Sequence, residues 1–307
     1  FIIRVTIYVL TKGAWRVFTE VMMINNNSHN IEQVYKDLYR VEIPLPDMAL
    51  KSLNSYFIKD GDRTMIIDTG MDMPECMEAM QSAIKVLDVN IEKTDYFITH
   101  QHIDHIGLLA MLAGRNNRVF FNTEEEGLTV SVPLRKWAKD ATAFARRHGF
   151  PEEYLREIVA DINRTKDRTR SNFEFTVIKD GDVIEIGDYR FRCIKTPGHT
   201  RAHMCLYDES KRLFISGDHV LDDITPNIST RYNDKENALG EYLDSLKRVY
   251  DLDVTLCLPG HRNLITDFGG RVKVLEEHHV ERAQEILKIL ADGGKDAYRV
   301  ASLMKWD

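Results

Sequence analysis

Short apolar runs with the period of strands alternate along the chain with longer apolar repeats that have the period of helices. Before residue 123, this pattern predicts strands at 38–45, 53–59, 63–68, 95–99 and 119–121. A helix with an apolar stripe from Met77 to Leu87 lies between the third and fourth of these strands. After residue 170, strands are predicted at 173–178, 183–186, 189–194, 204–207, 213–216 and 254–258. Strands that alternate with helices in both halves of the chain predict an α/β fold.

Residues 123–170 interrupt the strand pattern. Apolar positions from Leu134 to His148 recur at helical spacing, Gly149 ends that repeat, and a second helical repeat follows Pro151. We therefore predict a helical hairpin inserted between two strand-rich halves. Two further helices are predicted at 238–250 and 270–290. The expected organisation is a leader or extension at 1–30, a main domain at 31–268 with the insertion at 123–170, and a C-terminal helical extension at 269–307.

Composition narrows the class of protein. The chain has 307 residues, of which 43% are hydrophobic and 29% charged, as in soluble globular proteins. Its net charge of -7 disfavours a nucleic-acid partner, because affinity for phosphate backbones rests on Lys and Arg. The apolar run near the start is too short to span a bilayer, so no membrane partner is expected. Four cysteines without a CxxC pair predict reduced thiols in a cytoplasmic protein.

The strand predicted at 95–99 ends abruptly in a turn rich in metal-binding side chains. His100, His102 and His105 follow it, and Asp104 stands among them. Imidazole nitrogens are favoured ligands of zinc and of other first-row metals, and a carboxylate adds an oxygen ligand. Three histidines on one tight turn can converge on a single centre, so the turn predicts a metal site.

Three later polar residues occupy the same kind of position. His199 follows Thr-Pro-Gly, Asp218 follows Ser-Gly, and His261 follows Pro-Gly, each directly after a predicted strand. A strand end is a rigid base with an exposed tip, which suits a preorganised site. Seven candidate ligands are more than a closed four-ligand structural metal site uses, so they favour two metals with a position left for water over a metal-stabilised binding protein.

Together these residues resemble the metallo-β-lactamase superfamily, whose pattern is His-x-His-x-Asp-His followed by a later His, an Asp and a last His. The resemblance covers about residues 38–265. It implies a four-layer αβ/βα sandwich with the helical hairpin as an insertion. It also implies two groups of metal ligands with one bridging carboxylate: His100, His102 and His199; Asp104, His105 and His261; and Asp218 between them. Asp68, in an Asp-Thr-Gly turn, is then expected to orient the ligands, as are His203 and His219, which lie close to ligands in sequence.

The resemblance implies a hydrolase with two divalent metal ions. Zinc is the expected metal, and a His and Asp ligand set also suits iron or manganese. Two cations sharing a water lower its pKa, and the bridging hydroxide then attacks a carbonyl. Asp104 and Asp218 are the residues expected to take part in catalysis, with Asp104 as general base. This chemistry needs no Ser or Cys nucleophile.

The expected substrate is a small ester, a thioester of the acyl-CoA kind, or a lactone. Phe144 in the insertion, with Arg231 and Tyr232 in the loop after Asp218, are the predicted substrate contacts. Glutathione thioesterases of the superfamily carry Gly-Cys-Gly-Arg soon after the bridging aspartate, which this chain lacks. Homoserine lactonases carry a Tyr three residues after it, where this chain has Leu221.

Two alternatives stay open from the sequence. The C-terminal extension resembles the start of a winged helix found on superfamily members that include a single-strand RNA endonuclease. An iron-dependent persulfide dioxygenase is the other alternative. A homodimer is compatible with the sequence.

Overall fold

A computed structural model of the chain describes residues 7–11, 14–18, 31–46, 48–123, 134–156, 173–229 and 237–306. Strands β1 (Ile7–Thr11) and β2 (Ala14–Phe18) form a separate antiparallel pair. A seven-stranded sheet contains, in sequence order, β3 (Ile31–Tyr35), β4 (Leu38–Pro44), β5 (Ser52–Asp60), β6 (Arg63–Ile67), β7 (Thr94–Phe97), β8 (Val119–Phe121) and β9 (Phe175–Val177). A five-stranded sheet contains β10 (Val183–Ile186), β11 (Tyr189–Lys195), β12 (Met204–Asp208), β13 (Leu213–Gly217) and β14 (Leu256–Pro259).

The helices lie between and after these strands. They are α1 (Pro74–Val86), α2 (Ile103–Ile106), α3 (Leu109–Leu112), α4 (Leu134–Arg147), α5 (Ala238–Tyr250), α6 (Phe268–Leu290) and α7 (Ala297–Leu303). A 3₁₀ turn at Ile91–Lys93 precedes β7, and residues 152–156 are also helical. None of the helices in the described ranges has the length and apolar composition that a membrane span requires.

Strand alternation divides the buried apolar residues into three cores. In β6, Ile66 packs with Ala79 and Met80 of α1 on one face of the seven-stranded sheet. Its neighbours Met65 and Ile67 face the opposite way and pack against apolar residues of the five-stranded sheet. The far face of the five-stranded sheet packs against α5 and α6 in the third core. Three cores separate four layers, so the predicted sandwich of helices, two sheets and helices is confirmed.

Parallel pairing brings strand ends together at one edge. β6 and β7 are parallel, with Ile67 opposite Phe97, and β13 and β14 are also parallel. The carboxyl ends of parallel strands meet at the same edge of a sheet. Asp68 and His100 therefore follow neighbouring strand ends in one sheet, and Asp218 and Pro259 lie at neighbouring strand ends in the other.

The structure differs from the predicted elements in a few places. Strand β3 was not predicted, because Glu32 and Gln33 interrupt its apolar residues, as is common in an edge strand. The strand predicted at 173–178 is shortened to β9, and the helix predicted from 270 begins two residues earlier, at Phe268. Asp267 caps that helix by accepting the N–H of Gly270 at 3.0 Å.

Candidate metal centre

The histidine turn is built on Asp68, which lies at the end of β6. Asp68 has a left-handed backbone (φ 58°), and its two carboxylate oxygens accept the N–H of Thr99 at 2.9 Å and the Thr99 hydroxyl at 2.8 Å. The same carboxylate lies 2.7 Å from Nδ1 of His105. Since a carboxylate only accepts, Nδ1 of His105 carries a proton, and Nε2 faces the centre, where its lone pair is available when the ring is neutral.

Three imidazoles meet in what we call subsite A, formed by His100, His102 and His199. Nε2 of His100 lies 3.0 Å from Nδ1 of His102, and Nε2 of His199 lies 3.2 Å and 2.9 Å from these two atoms. His199 donates from Nδ1 to the carbonyl of Asn227 at 2.7 Å, which leaves its Nε2 lone pair for the centre. The three nitrogens lie close enough together to share one metal ion.

A second group, subsite B, consists of Asp104, His105 and His261. Asp104 Oδ2 lies 3.3 Å from Nε2 of His261 and 3.8 Å from Nε2 of His105. His261 donates from Nδ1 to the carbonyl of Ser52 at 2.7 Å, so its Nε2 also faces the centre. Asp104 and His105 belong to one short helix, α2, which begins directly after His102.

Asp218 lies between the two subsites. Its Oδ1 is 3.4 Å from Nε2 of His105 and 3.5 Å from Nε2 of His261. Its Oδ2 is 3.5 Å from Nε2 of His199. One carboxylate therefore faces subsite B with one oxygen and subsite A with the other.

The donor atoms of this centre fit metal ions. Nε2 of His105, Nε2 of His261 and Oδ1 of Asp218 are buried, and none has a hydrogen-bond partner among the described residues. Buried polar atoms are costly without partners, and a cation in subsite B would satisfy these three. The three nitrogens of subsite A are grouped closely enough to hold a second cation. Gly260 provides space beside Asp218, because a Cβ at position 260 would lie 2.6 Å from Oδ1 of Asp218. Nitrogen and oxygen donors of this kind suit zinc, iron or manganese.

Comparison with known proteins identifies the family of this chain. The model of the metallo-beta-lactamase superfamily matches residues 50–261. The chain belongs to this superfamily. It is 23% identical over 279 residues to the probable metallo-hydrolase YqjP of Bacillus subtilis, covering 86% of this chain and 84% of that protein. It is 24% identical over 272 residues to the atrochrysone carboxyl ACP thioesterase nsrC of Aspergillus novofumigatus, covering 87% and 67%.

A solved superfamily structure is similar over almost the whole chain. The metallo-beta-lactamase family protein TTHA1429 of Thermus thermophilus shares 28% sequence identity and aligns with a TM-score of 0.73, covering 89% of each chain. The superfamily predicted from the seven residue positions is thus confirmed, and its relatives include proteins named as metallo-hydrolases.

The two subsites differ in charge. Burial lowers the pKa of all three subsite A histidines: that of His100 to well below its ordinary value, that of His102 to about 4, and that of His199 to a smaller extent. These imidazoles are neutral at pH 7 and have lone pairs available.

In subsite B the pKa values of the histidines are raised, because the charges of nearby acidic residues outweigh the effect of burial. Burial lowers the pKa of His105, but the charges of Asp68, Asp218 and Asp104 raise it well above its ordinary value. The pKa of His261 is raised in the same way, chiefly by Asp218. Burial disfavours the charged form of Asp104 as well, yet His105 and His261 lower its pKa to about 2. In the metal-free protein, subsite B therefore holds protons on its histidines beside ionised carboxylates.

His203 and His219 lie beside the centre. Nε2 of His203 accepts the backbone N–H of Asp218 at 3.1 Å, and its Nδ1 lies 2.8 Å from the Thr196 hydroxyl. His203 thus holds the backbone of the residue between the subsites. His219 is buried, its ring packs edge-on against Tyr242 at 5.4 Å, and its carbonyl accepts the Tyr242 hydroxyl at 3.1 Å.

No contact among the described residues brings the residues predicted to bind substrate to the metal centre. Phe144 is half-buried in α4, where its ring contacts His148 at 4.3 Å and the guanidinium of Arg147. Arg231 and Tyr232 lie outside the described residues. These three remain predictions.

Sequence reasoning missed the residues that hold the ligands through the backbone. The carbonyl of Ser52 bonds to His261, Asn54 bonds to the loop that carries His261, and the Thr99 hydroxyl lies 3.1 Å from Nδ1 of His100. Asn54 had a visible signal, because it is a polar residue in a strand whose other buried residues, apart from Ser55, are apolar or aromatic.

Proposed function

We propose that the chain is a dinuclear metal-dependent hydrolase that opens a carbonyl ester, thioester or lactone. The observation that carries this proposal is the position of Asp218. Its Oδ1 faces buried nitrogens of subsite B that have no hydrogen-bond partner among the described residues, and its Oδ2 faces His199 of subsite A. His100, His102 and His199 would hold one ion, and Asp104, His105 and His261 the other. When bound, such a pair supplies a water of lowered pKa and polarises the carbonyl.

The chain's own residues provide proton transfer and orientation. Asp104 is ionised at neutral pH, since its pKa is lowered to about 2, and it is the candidate to accept the proton of the attacking water. Asp68 fixes which nitrogen of His105 faces the centre, and the carbonyls of Ser52 and Asn227 do the same for His261 and His199, respectively. Ligands that are fixed in advance need no rearrangement during the reaction.

A cysteine nucleophile is disfavoured on physical grounds. All four cysteines are free and buried. Burial raises the pKa of Cys193 and of Cys257 to about 12, so both are thiols at neutral pH. A thiolate, which is the nucleophilic form, is not formed there. The attacking group is therefore assigned to water.

A thioester is the substrate class that the comparisons favour. The relative nsrC carries the name of an acyl-carrier-protein thioesterase, and it aligns with 87% of this chain. A lactone is retained because it presents the same carbonyl to the same nucleophile.

The test is a substrate panel run on one zinc-replete preparation. It contains acyl-CoA thioesters, lactones, a single-stranded oligonucleotide, and a persulfide with oxygen uptake recorded. We expect hydrolysis of a thioester or lactone by the wild type and its loss in Asp218→Asn, because the substitution removes the negative charge that faces both subsites. Asp244→Asn, an exposed aspartate on α5, is the control and retains activity. Cleavage of the oligonucleotide alone, or oxygen uptake with inert carbonyl substrates, would overturn the proposal.

A further inference from the structure

A strand of one sheet holds a ligand loop that belongs to the other sheet. Strand β5 lies in the seven-stranded sheet, whereas residues 259–262 follow β14 of the five-stranded sheet. Strand alternation places Asn54 on the same side of β5 as Tyr56 and Ile58, which both pack in the core between the sheets. Asn54 therefore faces the loop that carries His261.

Asn54 binds this loop on both sides of His261. Its Nδ2 donates to the carbonyl of Pro259 at 3.0 Å and to the carbonyl of Arg262 at 2.9 Å. Its backbone N–H donates to the carbonyl of Gly260 at 2.7 Å. Three hydrogen bonds from Asn54 thus hold three of the four backbone carbonyls of residues 259–262, the segment that contains His261.

Neighbouring residues of β5 extend the contact. The Tyr56 hydroxyl donates to the carbonyl of Pro259 at 2.7 Å, and the carbonyl of Ser52 accepts Nδ1–H of His261 at 2.7 Å. The same strand therefore sets both the path of the loop and the tautomer of its histidine.

The amide of Asn54 has one usable orientation. Both hydrogens of Nδ2 are directed at carbonyl oxygens, so a flipped amide would bring Oδ1 against two other acceptors. Asn54 is 1% exposed, and its Oδ1 has no hydrogen-bond partner within the described ranges. The position thus uses the two donors of an amide, which an aspartate of the same size lacks.

The loop has little freedom to find another path. Gly260 lies against Asp218, and Arg262 has a left-handed backbone with φ 67°. A residue other than glycine is strained in that region, so the contacts on either side of His261 must hold it there.

We propose that Asn54 is a positioning residue for subsite B: by fixing the carbonyls on both sides of His261, it sets the imidazole that completes this metal site. The inference rests on the proposed two-metal centre. It assigns control of subsite B to a residue that contacts neither substrate nor metal, while subsite A does not depend on it.

The experiment titrates metal-free protein with Co²⁺, followed by absorption, and with Zn²⁺, followed by calorimetry. His261→Ala and His102→Ala identify which binding step belongs to which subsite. In Asn54→Asp and Asn54→Ala we expect the subsite B affinity to fall about 10–100-fold and the subsite A affinity to stay as in the wild type. Tyr56→Phe removes a single hydrogen bond to the loop, so it should lower the metal affinity of subsite B by a smaller factor. This variant keeps the test valid if a position 54 variant does not fold.

The matched control is Asn117→Asp. Nδ2 of Asn117 also donates to two backbone carbonyls, those of Ile91 at 2.8 Å and Thr94 at 2.7 Å, on the N-terminal side of β7. This variant loses an equivalent pair of bonds and should leave both metal-binding steps unchanged. If both steps in the Asn54 variants match the wild type, or both weaken equally, the proposal is wrong. If the wild-type chain itself binds fewer than two metals, the proposed dinuclear centre fails instead.

Discussion

At the scale of single residues, the charge of Asp68 decides the state of His105. The carboxylate holds Nδ1–H of His105 at 2.7 Å, and both groups are almost completely buried. Of the charges that raise the pKa of this histidine against the effect of burial, that of Asp68 contributes most. A neutral amide at position 68 keeps the size of the side chain and removes that charge.

For Asp68→Asn we expect the pKa of His105 in the metal-free protein to fall, and subsite B to lose about 10–100-fold in metal affinity. NMR titration of labelled histidine measures the pKa, and cobalt titration measures the affinity. Asp208→Asn is the matched control. Asp208 is a buried aspartate at the C-terminal end of β12, where it accepts the backbone N–H groups of Arg190 and Lys211. An unchanged His105 titration in Asp68→Asn would contradict the assignment of this raised pKa to the charge of Asp68.

The residue types in the sequence identified the candidate ligands but not the groups that hold these ligands in place. Each of the candidate ligands is a His or Asp at or near a strand end, so a pattern of residue types identified them. The supports act largely through carbonyls, such as those of Ser52 and Asn227, and every residue has a carbonyl. Which carbonyl meets which imidazole depends on the folded path of distant segments, which the sequence pattern does not contain.

At the scale of elements, the insertion and the C-terminal extension are in contact. Tyr298 in α7 donates its backbone N–H to the carbonyl of His148 at 3.1 Å, and its ring packs against Phe150 at 5.3 Å and Tyr154 at 6.2 Å. Gly149, with φ 86°, lies so close to Asp296 that a Cβ would meet its carboxylate at 2.3 Å. The helical periodicity predicted both segments, but it carries no information about contacts between elements more than a hundred residues apart.

Removal of the Tyr298 ring should loosen the insertion. In Tyr298→Ala we expect faster hydrogen exchange across residues 134–156, because the contacts with Phe150 and Tyr154 are lost. Metal stoichiometry should not change, since none of these residues belongs to either subsite. Ser302→Ala, an exposed position on the same helix, is the control. Equal exchange in the two variants would show that α7 does not support the insertion.

At the scale of the whole molecule, both subsites depend on the packing of the two sheets. Subsite A takes His100 and His102 from the seven-stranded sheet and His199 from the five-stranded one, and subsite B combines ligands from the two sheets in the same way. Periodicity predicted most strands of both sheets. The distance across the centre follows from the core between them, where Met65, Phe97 and Ile215 pack. This packing is a property of the complete fold, so the resemblance, and not the strand pattern, predicted the ligand groups.

The different protonation of the histidines in the two subsites predicts different proton release on metal binding. At pH 7 the histidines of subsite A are already neutral, since their pKa values are lowered, so a metal displaces no proton there. In subsite B the pKa values of His105 and His261 are raised, so a metal must displace up to one proton from each. Calorimetry in buffers with different ionisation enthalpies measures this release for each step.

The sign of the pH dependence follows from the same shifts. A histidine with a raised pKa holds its proton below that pKa, so the affinity of subsite B falls as the pH drops through it. Subsite A keeps its affinity to lower pH than subsite B, since the pKa values of its three histidines are all lowered. Lowering the pH from about 8 to about 5.5 should therefore empty subsite B first. His261→Ala should abolish the proton-releasing step, and equal release from both steps in the wild type would contradict the predicted asymmetry.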